Sequence, residues 1–429
     1  MNKTTAIILA AGKGKRMKSS LPKVLRKVCG QSLIYYVLKQ LSKIKTIKQI
    51  VIVVGYKGDL VKKEVEALSS GQLKNLSGKI KFVNQTKMWG TADAVKVALS
   101  KVKNKEALVT CGDNPLIRSA TLSKFMSYSR RNNLDCCILT STIDKKNQLG
   151  MIMYDSQGKV QAIKEKLSPK GKAKNFISRG EVNSGTYYFS KKELSKNIGK
   201  IKRNKLKKEY FLTDIIKILA NQGRRIKTYL AKDSSEVAGI NNLFELQFAE
   251  KVVKTRVISR LTEKGVVVVD PSTTIVQESV KIGKNTTIYP FTFIEKGAII
   301  GSNCSLGPFV HIRAGTRIRD GVKAGNFLEI NRSQLGKGVT AKHFGYLGDT
   351  VVSDNVNIGA GTVVANYDGR RKHKTYIKEN SFIGCDTVLV APVTIGKNSK
   401  TGAGSVVTKN VKEKEVVIGV PAHLLKAKE

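Results

Sequence analysis

The sequence predicts two unlike halves: an α/β domain around a largely parallel sheet, then a parallel β-helix. Two observations carry this. Between residues 4 and 240, short apolar runs alternate with longer amphipathic stretches, the pattern of strand-then-helix units. Beyond residue 265 aliphatic residues fall six apart, a period that belongs to neither an α-helix nor a simple alternating strand.

In the first half, Ala6–Leu9, Ile50–Val54, Ile80–Val83, Ala107–Thr110 and Cys136–Thr140 read as strands. Leu33–Leu41, Gly58–Leu68, Thr91–Val102 and Thr121–Asn132 read as the helices between them. Such alternation implies a sheet covered on both faces. From Asn242 to about Lys264, Leu243, Leu246, Val253, Val257 and Leu261 recur at helical spacing. This predicts one connecting helix, opened by an Asn cap and closed at Gly265. The expected domains are therefore 1–240, a helix over 241–264, and 265–429.

In the second half, Ile282, Ile288, Ile294, Ile300, Leu306, Ile312 and Ile318 form an unbroken six-residue series. It resumes at Val352, Ile358 and Val364, and again at Ile377, Ile383, Leu389 and Ile395. Each hexad is one short strand plus a turn, with its aliphatic residue pointing into a stacked core. The breaks at 336–350 and 365–376 are expected to be loops thrown out of the coil.

The 429 residues include 77 Lys+Arg against 32 Asp+Glu, a formal charge of +45. Residues 1–262 carry +36 of it, and lysines outnumber arginines 60 to 17. A nucleic-acid footprint concentrates charge on one face and favours arginine. Here lysine is spread throughout and aromatics make up only 6%, so a solvated lysine-rich surface is expected and nucleic acid is not an expected partner. Small polyanions such as nucleotide phosphates remain plausible ligands. Six cysteines without a C-x-x-C pair argue against a disulfide framework or zinc ribbon and suit a reducing compartment. Thr5–Ala11 is too short for a signal sequence, and no apolar run approaches the roughly 20 residues that span a bilayer. Cytoplasmic localisation, without membrane association, is the expectation.

The first strand runs into Leu9-Ala10-Ala11-Gly12-Lys13-Gly14-Lys15-Arg16-Met17, followed by Leu21-Pro22-Lys23. A glycine-rich turn between strand and helix lets backbone N–H groups approach a phosphate, and Arg16 and Lys23 supply full charges. By itself such a loop fits a bland turn equally well. It is neither a dinucleotide fingerprint nor a Walker loop.

With its neighbours, however, this segment resembles the sugar-nucleotide pyrophosphorylase signature. Further matches follow in order: Gln85 before Gly90-Thr91, Gly112-Asp113, Glu165, Asn183, Glu209-Tyr210-Phe211-Leu212-Thr213-Asp214, and Gly239-Ile240-Asn241-Asn242. Joined to the hexads, nearly the whole chain resembles the bacterial bifunctional family of N-acetylglucosamine-1-phosphate uridyltransferase / glucosamine-1-phosphate N-acetyltransferases. The resemblance implies a Rossmann-like nucleotidyltransferase domain with a mixed sheet, followed by a left-handed parallel β-helix. It also implies synthesis of UDP-N-acetylglucosamine for peptidoglycan and lipopolysaccharide from glucosamine 1-phosphate, acetyl-CoA and UTP, by way of N-acetylglucosamine 1-phosphate.

By the same resemblance, Leu9, Ala10, Ala11, Gly12, Lys23, Gln85, Gly90, Thr91, Cys111, Gly112 and Asp113 hold the nucleotide. Gly150, Glu165 and Asn183 hold the sugar, and Asp113 with Asn241 holds Mg2+, with Arg16 and Lys23 as catalytic cations. Met151 stands where relatives commonly carry Arg. Acetylation needs a base near physiological pH, for which histidine suits. Of His311, His343, His373 and His423, His343 matches the family's catalytic residue. Arg313, Asn331, Tyr346, Asn357 and Lys372 match its sugar-phosphate contacts. Asn331 replaces a lysine of relatives, with Arg332 beside it as a candidate substitute charge. Ala360, Asn366, Tyr367, Cys385 and Ala403 match acetyl-CoA positions; Cys385 replaces a familiar serine. The tail lacks the Arg often found before Val420-Pro421, leaving lysines such as Lys426. A homotrimer is implied too. Three other readings stand open at this level: a single-activity nucleotidyltransferase whose β-helix serves assembly, a different sugar or nucleotide, and a basic nucleic-acid-binding scaffold.

Overall fold

The computed structural model describes residues 3–142, 149–165 and 177–425. The chain forms two compact units, Met1–Val252 and Val253–Glu429, and the cut falls inside a helix, Leu243–Thr262. Among the described residues no helix is long and apolar enough to cross a membrane.

The first unit is built on a nine-stranded sheet. Its main path runs Ile226–Leu230, Cys136–Thr142, Glu181–Ser190, Glu106–Cys111, Thr4–Ala10, Ile47–Val54, Ile80–Asn84. All of these pair in parallel except Glu181–Ser190, which is antiparallel to both neighbours. The hairpin Met151–Tyr154 and Val160–Lys164 joins that strand at Val182. Ile7, Val51, Val53, Val109, Ile138 and Phe189 have no exposed surface, as central strands covered on both sides require. The five expected strands and four expected helices are present with ends shifted by a few residues; the helix from Thr91 stops at Leu99.

The sheet is thus largely parallel, as expected, and is mixed through Glu181–Ser190 and Val160–Lys164. The signal was lost at the antiparallel strand, whose register slips between Asn183 and Tyr187. Gly185 there takes a left-handed φ of 75°. The slip interrupts the apolar alternation by which a strand is read.

The second unit is a parallel β-helix with three sheets, each gaining one short strand per turn of the coil. Every aliphatic hexad residue named above is buried, none more than 8% exposed. Each corner needs a left-handed residue. Asn285, Asn303, Asn355, Asn380 and Asn398 supply it at one corner, with Gly321 and Gly338 between; Asn and Gly tolerate that conformation best. Another corner uses Phe291, Phe309 and Phe327, also left-handed, with ring centroids 4.8 and 4.9 Å apart and nearly coplanar stacking.

The first expected break is not an ejected loop. Thr340–Ala341, Gly345–Gly348 and Thr350–Val352 each pair within the three sheets. The core residues instead step by five at two places, Ile330 to Leu335 and Leu347 to Val352, and small Ala324 and Ala341 occupy two core positions. The coil absorbs the phase shift by tightening its corners. The second break does leave the coil: residues 366–374 run out between Thr362–Ala365 and Thr375–Ile377.

Candidate functional site

In the first unit, Leu9 and Ala10 end the central strand, and the loop that follows turns at Gly14, φ 64°. A methyl group on Gly14 would sit 2.8 Å from the Lys23 Cβ, so the glycine lets the loop and Lys23 lie together. One strand over, the Gly112 N–H donates to the Leu9 carbonyl (2.9 Å), which sets Asp113 at the carboxyl edge of the sheet, where ligands of open α/β folds bind. The Ile240 N–H donates to the Asp113 carbonyl (3.0 Å) and delivers Asn241 to the same place.

Four side chains converge there. The Lys23 ammonium is ion-paired with Asp113 and donates to Asn241 Oδ1 (3.0 Å). Arg16 Nη2 donates to that same oxygen (3.1 Å). A carboxylate and an amide oxygen already gripping an ammonium form a hard-oxygen donor pair, the chemistry that suits Mg2+ completed by phosphate and water. Among the described residues no group of three or more His, Cys, Asp or Glu is placed to hold a metal, so a metal here would take most of its ligands from substrate.

A cavity of about 500 Å3 opens beside this cluster, lined by Leu9, Ala10, Ala11, Gly12, Lys23, Gln85, Gly90, Thr91, Cys111 and Asp113. Gln85 is nearly buried, and its amide donates to the Gly90 carbonyl (3.0 Å) and to Asp93 (2.7 Å). Gly90 has φ 105°, and any Cβ would meet the Tyr210 carbonyl at 2.6 Å. Burial, and then the charge of Asp113, push the Cys111 thiol up to about 12, so it stays neutral and lines the cavity without acting as a nucleophile.

A smaller cavity of about 180 Å3 shares Leu9, Thr91 and Cys111 and adds Glu165 and Asn183. The Asn183 N–H donates to the Gly150 carbonyl (2.8 Å). A Cβ on Gly150 would lie 2.7 Å from Ile163 and 3.3 Å from the Glu165 carboxyl. Burial raises the pKa of Glu165. Asp93 and Tyr187, which fix Gln85 and Asn183 through side-chain bonds, carried no signal in the sequence, because a residue that orients another belongs to no motif.

In the second unit, Thr340, Asn357, Phe382 and Lys400 are register partners on successive coils. Three residues beyond each stand His343, Ala360, Cys385 and Ala403. These four therefore form one file down a single corner. His343 and Cys385 are exposed. The Asp386 N–H donates to the Ala360 carbonyl (2.6 Å) and the Gly404 N–H to the Cys385 carbonyl (2.8 Å), which ties the file together.

The other residues expected in acyl transfer, apart from Asn357 on the strand beside this file, gather across the strand Gly345–Gly348, at the next corner. Asn331 Nδ2 reaches the Tyr346 hydroxyl (3.4 Å), and Asn366 Nδ2 donates to Asp349 (2.5 Å). The ejected loop carries Tyr367 and Lys372, paired by a backbone bridge. Arg332 closes on Asp349 and also donates to Asn331 Oδ1 (2.9 Å), so its charge is already neutralised. Arg313 pairs with Glu329 (3.1 Å) and Glu295 (3.9 Å). One chain thus divides these residues between two corners of the prism. Lys426 lies outside the described residues.

Fold and site together define a nucleotidyltransferase fused to a hexapeptide-repeat transferase. The model of the Nucleotidyl transferase family matches residues 5–251, and that of the bacterial transferase hexapeptide (six repeats) matches 279–314 and 374–409. "Bifunctional protein GlmU" of Thermosipho melanesiensis is 37% identical over 96% of this chain and 94% of its own length. The proteins of the same name from Caldicellulosiruptor saccharolyticus (35%; 95% and 93%) and Lactococcus lactis subsp. cremoris (37%; 98% and 96%) are similar to the same degree. The chain belongs to the bifunctional GlmU family. It is a bifunctional uridylyltransferase and acetyltransferase of UDP-N-acetylglucosamine synthesis.

Proposed function

We propose that the first unit joins UTP and N-acetylglucosamine 1-phosphate at the Lys23–Asp113–Asn241–Arg16 cluster, and that the second acetylates glucosamine 1-phosphate at His343. The observation that carries the first assignment is the convergence of those four side chains on one another, with Lys23 and Asp113 lining the 500 Å3 cavity. Leu9 to Gly12, Gln85, Gly90 and Thr91 receive the nucleotide; Gly150, Glu165 and Asn183 receive the sugar. The attacking sugar phosphate is already anionic near neutral pH, so no general base is needed, and rate comes from positioning and charge. Arg16 and Lys23 turn from Asn241 onto the triphosphate. Mg2+ held by Asp113 and Asn241 supplies further charge neutralisation when bound.

In the second unit His343 takes the proton that the sugar amine sheds as it attacks the thioester of acetyl-CoA. Ala360, Cys385 and Ala403 form the edge along which the coenzyme lies, and Asn366 and Tyr367 contact it from the ejected loop. Arg313, Asn331, Tyr346, Asn357 and Lys372 face the sugar phosphate. Two corners of one prism point away from each other, so a site drawing on both needs a neighbouring copy, and a homotrimer with sites between prisms supplies one. The cysteine usage supports a cytoplasmic setting.

The test is a coupled assay with glucosamine 1-phosphate, acetyl-CoA, UTP and Mg2+, following free thiol and pyrophosphate together. Release of both, with thiol formed first, is expected. Neither product from this mixture, with pyrophosphate restored when N-acetylglucosamine 1-phosphate is added, would leave the nucleotidyl-transfer assignment standing and sink the acyl-transfer one.

A further inference from the structure

Helix Thr91–Leu99 turns Thr91 and Ala94 toward the nucleotide-side cavity, but Ala92, Asp93 and Lys96 face a second hollow of about 350 Å3. None of the residues assigned to either reaction lines it. Its floor is apolar and closed: Ala92, Ile198 and Ile201 are each at most 6% exposed. Its wall is aromatic, made by Trp89, 39% exposed, and Tyr210, with ring centroids 6.3 Å apart. Its rim is cationic. Lys96, Lys202 and Arg203 border it, the Arg203 guanidinium lies 5.9 Å from the indole, and Lys87 covers the same ring at 4.7 Å.

Among the described residues the one carboxylate lining this hollow is Asp93, and it is already engaged by the Gln85 amide. Lysines on a merely solvated face need neither a concave floor nor a half-exposed indole. A ligand that satisfies all three features carries an anion for the rim and a flat ring for the wall. The volume is at the lower end of the range that holds small-molecule ligands, roughly 300–1,000 Å3.

We propose that this hollow is a second binding site, for a nucleoside phosphate, separate from the catalytic cavity and linked to it. The link is short. Asp93 touches the hollow and fixes Gln85, which lines the catalytic cavity. The Trp89 carbonyl accepts from the Tyr210 N–H (2.6 Å), and the Ala92 N–H donates to the Tyr210 carbonyl (3.0 Å). A ligand that shifts Trp89 or Tyr210 therefore moves Gly90 between them.

Trp89 is the chain's only tryptophan, so its fluorescence reports events at this wall. The experiment titrates the full-length protein with uridine and adenosine monophosphates, by indole fluorescence and by equilibrium dialysis. Two molecules bound per chain are expected, with the second lost on Lys202→Ala/Arg203→Ala and weakened at least several-fold by Lys96→Ala. Both sets of changes lie at exposed positions, and circular dichroism checks that the variants fold. One molecule per wild-type chain, or a second site indifferent to all three substitutions, overturns the proposal. So does inorganic phosphate binding as tightly as the nucleotide, because the aromatic wall would then have no role.

Discussion

Arg332 and Asp349 occupy the same corner of successive coils, both in the left-handed backbone region, and meet through two bonds of 2.7 Å each. The guanidinium hydrogen bonds hold the Asp349 carboxyl below its ordinary range. A depressed carboxylate pKa contributes stability that is fully present above the usual carboxylate pKa and is lost as pH falls through the folded value. Arg332→Leu should cost the second unit about 1 kcal/mol near neutral pH, because Arg332 is partly exposed and screened. Thermal melts of variant and wild type should converge as the solution is acidified below the carboxylate range. A gap that persists in acid would show that the pair is not its source.

Asp113→Asn and His343→Ala should have opposite effects. With N-acetylglucosamine 1-phosphate supplied for the uridylyl step and glucosamine 1-phosphate for the acetyl step in separate assays, the first should lower pyrophosphate release by a factor of about 100 or more and leave thiol release intact, and the second the reverse. Loss of both activities from one substitution in a folded protein would contradict the division of labour.

Lys23 stands at the proposed metal site, with its ammonium against Asp113 and Asn241, the two residues proposed as its oxygen ligands. Lys23→Gln should therefore tighten Mg2+ binding to the nucleotide-free protein by roughly tenfold, since a competing cation is gone. Nucleotidyl transfer should fall in the same variant. Calorimetric titration with the metal alone decides it; unchanged or weaker binding would mean that the ammonium does not compete.

Ile312 is fully buried in the coil. Ile312→Ala should destabilise the second unit by about 3 kcal/mol through lost transfer energy and the cavity left behind. Because the two units are separately compact, calorimetry should show the transition of the first unit unmoved.

The coil was legible because one core residue per hexad repeats in sequence what the prism repeats in space. Where it misled, at 336–350, the cause was local: Ala324 and Ala341 are too small to mark a core position, and two five-residue steps hid the phase. In the first unit, strands with uninterrupted apolar runs could be read. Glu181–Ser190 could not, since its bulge places Ser184-Gly185-Thr186 in mid-strand. The site was less legible still. Lys23, Asp113 and Asn241 lie 90 and 128 residues apart along the chain, and nothing in their local spacing foretells that they meet. Family resemblance named them, whereas Asp93 and Tyr187, which belong to no motif, emerged only from hydrogen bonding.

The file of His343, Ala360, Cys385 and Ala403 makes that corner a graduated ruler. Neighbouring strands, and hence its marks, are spaced at ~4.8 Å, and a molecule laid along it gains or loses contacts only in whole divisions. On the proposed assignment of this edge to the coenzyme, the reach of an acyl carrier is counted in rungs. Inserting or deleting one complete turn beyond Ala360 would change the length that is recognised by a fixed quantum, and leave the imidazole at the zero mark untouched.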